Sequence, residues 1–144
     1  MPATTTPLPD HVRAFLAEPR YATVATTDAN GAPRQAVIWY LLDGDTIVIN
    51  SLDGRLWPTN LRRNPHVAIA VTAADREEWV GITGTVEVVD DQDRAQADIA
   101  AMARRYHTRN PAQADDLIKN RFQPQRRVSF RVTPTRIHDH LDGD

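Results

Sequence analysis

Two short polar turns constrain this chain more than any other feature. Asp28-Ala29-Asn30-Gly31 and Asp43-Gly44-Asp45 each separate two runs of aliphatic and β-branched residues, and Asn-Gly or Asp-Gly pairs tolerate the positive φ angles of a tight hairpin. Connections this short leave no room for a crossover helix. Residues 21–27, 34–42 and 46–50 are therefore expected as three consecutive strands in an antiparallel meander, unlike the strand-helix alternation of a parallel sheet.

The rest of the chain extends this pattern. Val12, Phe15 and Leu16 recur at helical spacing before Pro19, which predicts a short helix with one apolar face. Residues 56–64 read as a second helix, with Pro58 in its first turn and Asn64-Pro65 at its end. Strands are expected over 67–71 and 79–89, and Gly81 and Gly84 inside the latter suggest a bulge or a close approach of backbone. Asp90 and Asp91 precede Ala95, Ile99, Met102 and Tyr106, an amphipathic helix with acidic residues at its positive end. A brief helix over 112–120 follows. In the last strand Val128, Phe130 and Val132 alternate with Ser129, Arg131 and Thr133, which predicts one buried and one wet face. About six antiparallel strands with small inserted helices tend to curl into a barrel or sandwich that covers its edges.

The chain's 144 residues suit one hydrophobic core. Residues 1–9 hold three prolines and three threonines without periodicity and are expected as a flexible N-terminal arm, with a domain over 10–138 and a C-terminal tail over 139–144. No apolar run nears the roughly 20 residues of a membrane-spanning helix, and the N-terminus lacks the basic-then-apolar order of a signal peptide. A cytoplasmic location is therefore expected. A formal net charge of −2 removes the bulk attraction to nucleic acid or anionic lipid. The chain has no cysteine, so any redox chemistry must come from a bound cofactor. Lys119 is the single lysine among 17 basic residues, and arginine suits bidentate contacts to phosphate or carboxylate.

The densest polar cluster runs from Asn50 to Pro65 as strand, loop and helix start. Free amides at a helix start, Gly54 and the Arg55 guanidinium together form a candidate anion site, whose alternative is a surface loop with Arg55 solvated. His138-Asp139-His140 puts two imidazoles on one side of an extended tail, a poor metal site without a third ligand. Arg104-Arg105 and Arg126-Arg127 read as solvated faces, although Arg126 or Arg127 could reach an anionic ligand. No Ser-His-Asp order or glycine-rich phosphate loop stands out.

Taken in order, Gly31-Ala32-Pro33 leading into Val37-Ile38-Trp39-Tyr40, then Asp43-Gly44-Asp45, then Arg55 with Asn60-Leu61-Arg62-Arg63-Asn64-Pro65, and finally Arg127-Val128-Ser129-Phe130-Arg131-Val132-Thr133-Pro134 carry a family likeness. Over roughly residues 10–138 the chain resembles the flavin and deazaflavin oxidoreductases related to pyridoxamine phosphate oxidase. The resemblance implies a mainly β, α+β antiparallel split β-barrel that forms a homodimer with cofactor at the subunit interface. It implies that Arg55 contacts the cofactor phosphate, with Asn50 and Ser51 beside it and Trp57, Pro58 and Asn60 at the adjoining helix. It also places Arg34, Gln35, Val37 and Trp39 under the cofactor ring and Trp79 toward the partner's cofactor. Trp57 stands where many relatives carry lysine, and it either stacks on the cofactor or packs the helix. Trp39 and Trp79 have the same alternative of packing.

The function implied is a coenzyme F420-dependent oxidoreductase that moves a hydride between the deazaflavin and a small organic substrate. In such enzymes the cofactor carries the chemistry while the protein binds and orients. Two alternatives stand beside it: an FMN-dependent oxidase or reductase of the same fold, and a non-catalytic coenzyme-binding protein.

Overall fold

The computed structural model describes residues 5–141. Its elements are α1 (Asp10–Ala17), β1 (Ala22–Thr27), β2 (Pro33–Ile38), β3 (Leu41–Asp43), β4 (Thr46–Leu52), α2 (Leu56–Arg63), β5 (His66–Thr72), β6 (Trp79–Val89), α3 (Gln92–Tyr106), α4 (Pro111–Asp116) and β7 (Arg127–His140). A π-helical turn, Leu117–Phe122, continues α4. The seven strands form one antiparallel sheet in the order β2-β1-β5-β6-β7-β4-β3.

The expected strand over 34–42 is in fact two strands on opposite edges of this sheet. Seven strands laid flat would set the outer two about 29 Å apart, yet the three residue steps from Ile38 to Leu41 reach about 11 Å at most. Only Trp39 and Tyr40 cross between the edges. The sheet must therefore curl until its edges meet, and that closure makes the split barrel. The three-strand meander is corrected accordingly: the first half of the segment pairs with β1 and the second half with β4.

Side-chain alternation continues through the seam and divides two cores. Tyr40 points into the barrel, where it is fully buried among residues such as Val24, Ile49, Ile69 and Phe130. Trp39 and Leu41 point outward and pack on a second cluster, made by Val48 with Ile99, Met102, Ala103, Ile118 and Phe122 of the helical segments. Because α3 covers the outside of β4 and the start of β7, Ser129 is fully buried, and the wet face expected there begins only at Arg131. α1 inserts Val12, Phe15 and Leu16 into the barrel, and α2 inserts Trp57 and Leu61.

The seam is bolted from α3. Tyr40 Oη donates to the carbonyls of Leu16 (2.9 Å) and Glu18 (3.2 Å), while its amide donates to Tyr106 Oη (3.2 Å). Arg105, expected as a solvated residue, is half-buried and donates to the carbonyls of Tyr40, Leu16 and Glu18, with its guanidinium over the Tyr40 ring. It thereby satisfies carbonyls at the end of α1 that have no helical partner.

The bulge expected near Gly84 lies between Thr83 and Gly84, where Thr83 pairs with Arg136 but Gly84 with Pro134. A Cβ on Gly84 would sit 2.4 Å from the Thr133 carbonyl oxygen, so only glycine permits this approach. The described part of the expected flexible arm instead docks here. Thr6 donates from its amide to Pro134 O (2.8 Å) and from its hydroxyl to Thr135 O (2.9 Å), and Leu8 is buried in the core. Residues 1–4 of that arm lie outside the described residues. Of the expected C-terminal tail, Asp139 and His140 belong to β7, while residues 142–144 lie outside the described set.

If Arg105 closes the seam, Arg105→Met should lower unfolding stability by about 2–3 kcal/mol, because charged donors to three carbonyls are lost. Urea denaturation should show no comparable loss for the exposed neighbour Arg104→Met.

Candidate functional site

A cavity of about 300 Å³ opens beside the seam, between the end of β2, the outer face of β4 and the helical cover. One wall is apolar and aromatic, formed by Val37, Trp39, Ile99, Met102 and the exposed Tyr21. Trp39 is locked in place: its ring stacks on Tyr106 (centroids 5.2 Å apart, 15° between planes) and meets His107 and Phe122 edge-on. Tyr106 is held in turn by donating to Arg20 O at 2.5 Å, and burial pushes its pKa up to about 12. The phenol therefore stays protonated at neutral pH.

The other wall carries Arg55, Arg121 and Arg127. Arg127, read from sequence as part of a solvated face that could also reach an anionic ligand, is only 6% exposed. Its Nε donates to Asn50 Oδ1 (3.0 Å) and its Nη1 to Gln125 Oε1 (2.6 Å), and its guanidinium carbon lies 5.0 Å from the centre of the Phe122 ring. Gln92 fixes the backbone of Arg127, accepting from its amide (2.9 Å) and donating to its carbonyl (2.8 Å). Asn50 is set by donating to Ala95 O and Ser129 Oγ, and the Ser129 hydroxyl donates to Asp98. None of the three arginines pairs with a carboxylate among the described residues.

Burial, followed by the like charges of Arg55 and Arg121, pushes the Arg127 pKa down to about 10. A base whose pKa is lower folded than unfolded costs stability wherever it is held charged, and the cost is relieved as pH rises through about 10. At neutral pH Arg127 is charged and lacks a counter-ion. An anion would offset both the repulsion among the arginines and the cost of burying the charge. The cavity thus pairs a flat apolar wall with an unneutralised cationic one, a fit for a ring bearing an anionic tail.

Of the sequence-predicted site residues, Val37, Trp39, Asn50 and Arg55 come together here. Ser51 is adjacent to Asn50 but faces the other side of β4, and its hydroxyl donates to Leu52 O. Trp57 and Pro58 are buried, and the Trp57 ring lies 5.9 Å from that of Phe130 in the barrel core. Packing, not stacking on a ligand in this cavity, is the role its position gives it.

Arg34 and Asn60 converge instead on Asp28, at the β1–β2 turn. Arg34 grips both carboxylate oxygens (2.8 and 3.2 Å), and Asn60 Nδ2 donates to the same carboxylate (2.8 Å) and to Thr26 Oγ1 (3.1 Å). These donors, Arg34 first, hold the Asp28 carboxyl below the usual carboxylate range.

Gln35 and Trp79 lie on the outer face of the sheet, around a second cavity of about 280 Å³. Cross-strand partners Val37, Thr23, Ala70, Gly81 and His138 form one outward row there, and Gln35, Ala25, Ala68, Thr83 and Arg136 the next. The face is made mainly of small side chains. A Cβ on Gly81 would be 2.8 Å from the Trp79 ring, so glycine lets the indole lie across the sheet, stacked on His140 at 4.1 Å.

Sequence reasoning did not single out Arg121, Phe122, Tyr21, Ile99 or Met102 for the site. The signal for part of this set was the apolar stripe of α3, which needs a sheet face to cover.

The family model described as pyridoxamine 5'-phosphate oxidase matches residues 8–141. A solved structure described as an F420 reductase is 26% identical, with 91% of this chain and 98% of that one covered and a TM-score of 0.72. A conserved hypothetical protein from Mycobacterium tuberculosis is 21% identical (94% and 87% covered, TM-score 0.73). HutZ, the heme storage protein from Vibrio cholerae, is 19% identical (93% and 95% covered, TM-score 0.67). The last two likenesses are of fold alone. Among curated proteins none matches at a significant level.

A charge-assisted contact is worth about 1.5–3 kcal/mol, so Arg127→Ala should weaken binding of inorganic diphosphate by about ten- to a hundred-fold, and Arg55→Ala, being exposed, by less and with a loss that shrinks at high salt. Trp57→Ala should lower stability by about 3–5 kcal/mol, read as a fall in melting temperature, while the folded fraction keeps the parent's diphosphate affinity.

Proposed function

Because this chain belongs to the pyridoxamine 5'-phosphate oxidase family, we propose that its two-walled cavity holds coenzyme F420 and that the protein is an F420-dependent oxidoreductase acting on a small organic substrate in the cytoplasm. The single observation that carries this reading is the counter-ion-free arginine group, Arg55, Arg121 and Arg127, set opposite an apolar wall of Val37, Trp39 and Met102. The 26% identical F420 reductase structure supports it.

The residues present fit such a coenzyme. Arg127, Arg55 and Arg121 would take the phosphodiester and the acidic tail, while Trp39 and the α3 residues Ile99 and Met102 would flank the ring and exclude water from it. When bound, the deazaflavin supplies or accepts the hydride. The chain's own part is to bind and orient, since the described cavity wall holds no His, Asp or Glu; Tyr21, Trp39, Asn50 and the arginines are its polar side chains.

We extend the reading to a homodimer. The outer face of small residues ends at Val37, which is 70% exposed at the rim of the cavity. A second copy seated on this face would bury Val37 and bring its own Gln35 and Trp79 near the cofactor. Sedimentation at micromolar concentration should then give about twice the 16.1 kDa chain mass, and a monomer that still binds coenzyme tightly would sink this part of the reading.

FMN is the second candidate, because a cluster of three arginines also suits a compact dianionic phosphate. Trp57, buried in the core, adds no charge to the cavity, which favours the open deazaflavin tail over a compact dianion. Titrated with both coenzymes, the protein should bind F420 more tightly than FMN. Tight FMN binding without F420 binding would transfer the assignment. Oxidation of reduced F420 by an organic acceptor, followed by absorbance, separates an enzyme from a coenzyme-binding protein.

A further inference from the structure

The buried Arg127 is held by neutral groups alone. Asn50 Oδ1 takes its Nε, Gln125 Oε1 takes its Nη1, and Nη2 makes no hydrogen bond among the described residues. Gln125 is itself anchored, with its carbonyl accepting from Gln96 Nε2 (2.8 Å) and its amide donating to Phe122 O (2.9 Å). Its amide side chain is therefore aimed, not loosely placed. Elsewhere in this chain arginines take carboxylates: Arg34 pairs with Asp28, Arg62 with Asp53 and Asp90, Arg131 with Asp43. A glutamate at 125 would have nearly the same shape as glutamine and would neutralise Arg127 at 2.6 Å.

Resting on the reading of this cavity as an anion-binding coenzyme site, we propose that Asn50 and Gln125 are positioning residues that fix the Arg127 guanidinium through uncharged contacts, leaving its charge and its Nη2 to an anionic ligand. The arrangement gives up an internal ion pair in favour of ligand affinity. A merely structural role for Gln125 would be served equally well by glutamate, because either residue accepts the Nη1 bond. The two roles therefore separate in one substitution.

The test compares the parent with Gln125→Glu, Gln125→Met and Gln123→Glu at low salt, reading melting temperature and affinity for inorganic diphosphate, with F420 as a second probe. Gln125→Glu should bind diphosphate at least tenfold more weakly while its melting temperature stays level or rises, since the new carboxylate occupies Arg127. Gln125→Met, which loses the bond but adds no charge, should lose less. Gln123→Glu adds the same charge to the same exposed loop and should change affinity less than twofold.

Diphosphate affinity of Gln125→Glu within twofold of the parent overturns the proposal, and F420 binding by the parent would then leave the coenzyme reading standing. A loss for Gln123→Glu as large as that for Gln125→Glu overturns it as well, because the effect would be general repulsion. A parent that takes no diphosphate at millimolar concentration also overturns it. If diphosphate behaves as expected but F420 does not bind, the positioning role holds and the coenzyme reading falls.

Discussion

The whole molecule depends on a two-residue crossing. With β2 and β3 at opposite edges of a seven-stranded sheet and only Trp39 and Tyr40 between them, the chain is too short for any but a curled sheet. The crossing must also be held shut, since backbone leaving one sheet edge for another has lost its ladder partners. Tyr40, Arg105 and Tyr106 meet that need from three directions. Alternation then does the rest, because consecutive residues at the seam must face opposite ways. Tyr40 closes the barrel core and Trp39 becomes the wall of the cavity, so fold and site are set by the same two residues.

The cavity's second property is electrostatic. A cation buried without a counter-ion is a cost the fold carries at neutral pH, tolerated here because the amides of Asn50 and Gln125 and the face of Phe122 surround it. Such a cost concentrates where a ligand can remove it. Asp98 lies two residues from the guanidinium, reached through Asn50 and the Ser129 hydroxyl, so it orders the network without pairing with Arg127.

Much of the fold could be read from the sequence because alternation and turn chemistry are local. The long strand Trp79–Val89, its bulge at Gly84 and the N-capping Asp91 of α3, whose side chain accepts from the Arg94 amide, all follow from neighbours in sequence. The seam was not legible, because residues 34–42 keep one unbroken strand-like pattern while their pairing partners change edges. Of the residues around the cavity, Val37, Trp39, Asn50 and Arg55 were singled out through pattern and family likeness, whereas the Arg126-Arg127 pair left open which member turns inward. Arg126 is exposed and pairs with Asp53, and nothing in an Arg-Arg pair tells which member a distant helix will cover. Trp57 posed the same problem: an indole in a helix start reads alike whether it meets a ligand or, as here, Phe130.

The three tryptophans occupy three different settings: Trp57 inside the barrel, Trp39 on the cavity wall and Trp79 across the outer sheet beside His140. Indole emission is sensitive to its surroundings, so each ring is a separate optical address within one chain. Trp57 reports the integrity of the interior, Trp39 whatever enters beside it, and Trp79 whatever covers the open face. Chains that keep one indole and carry phenylalanine at the other two positions would let core melting, entry into the cavity and covering of the outer sheet be followed independently, without an added dye.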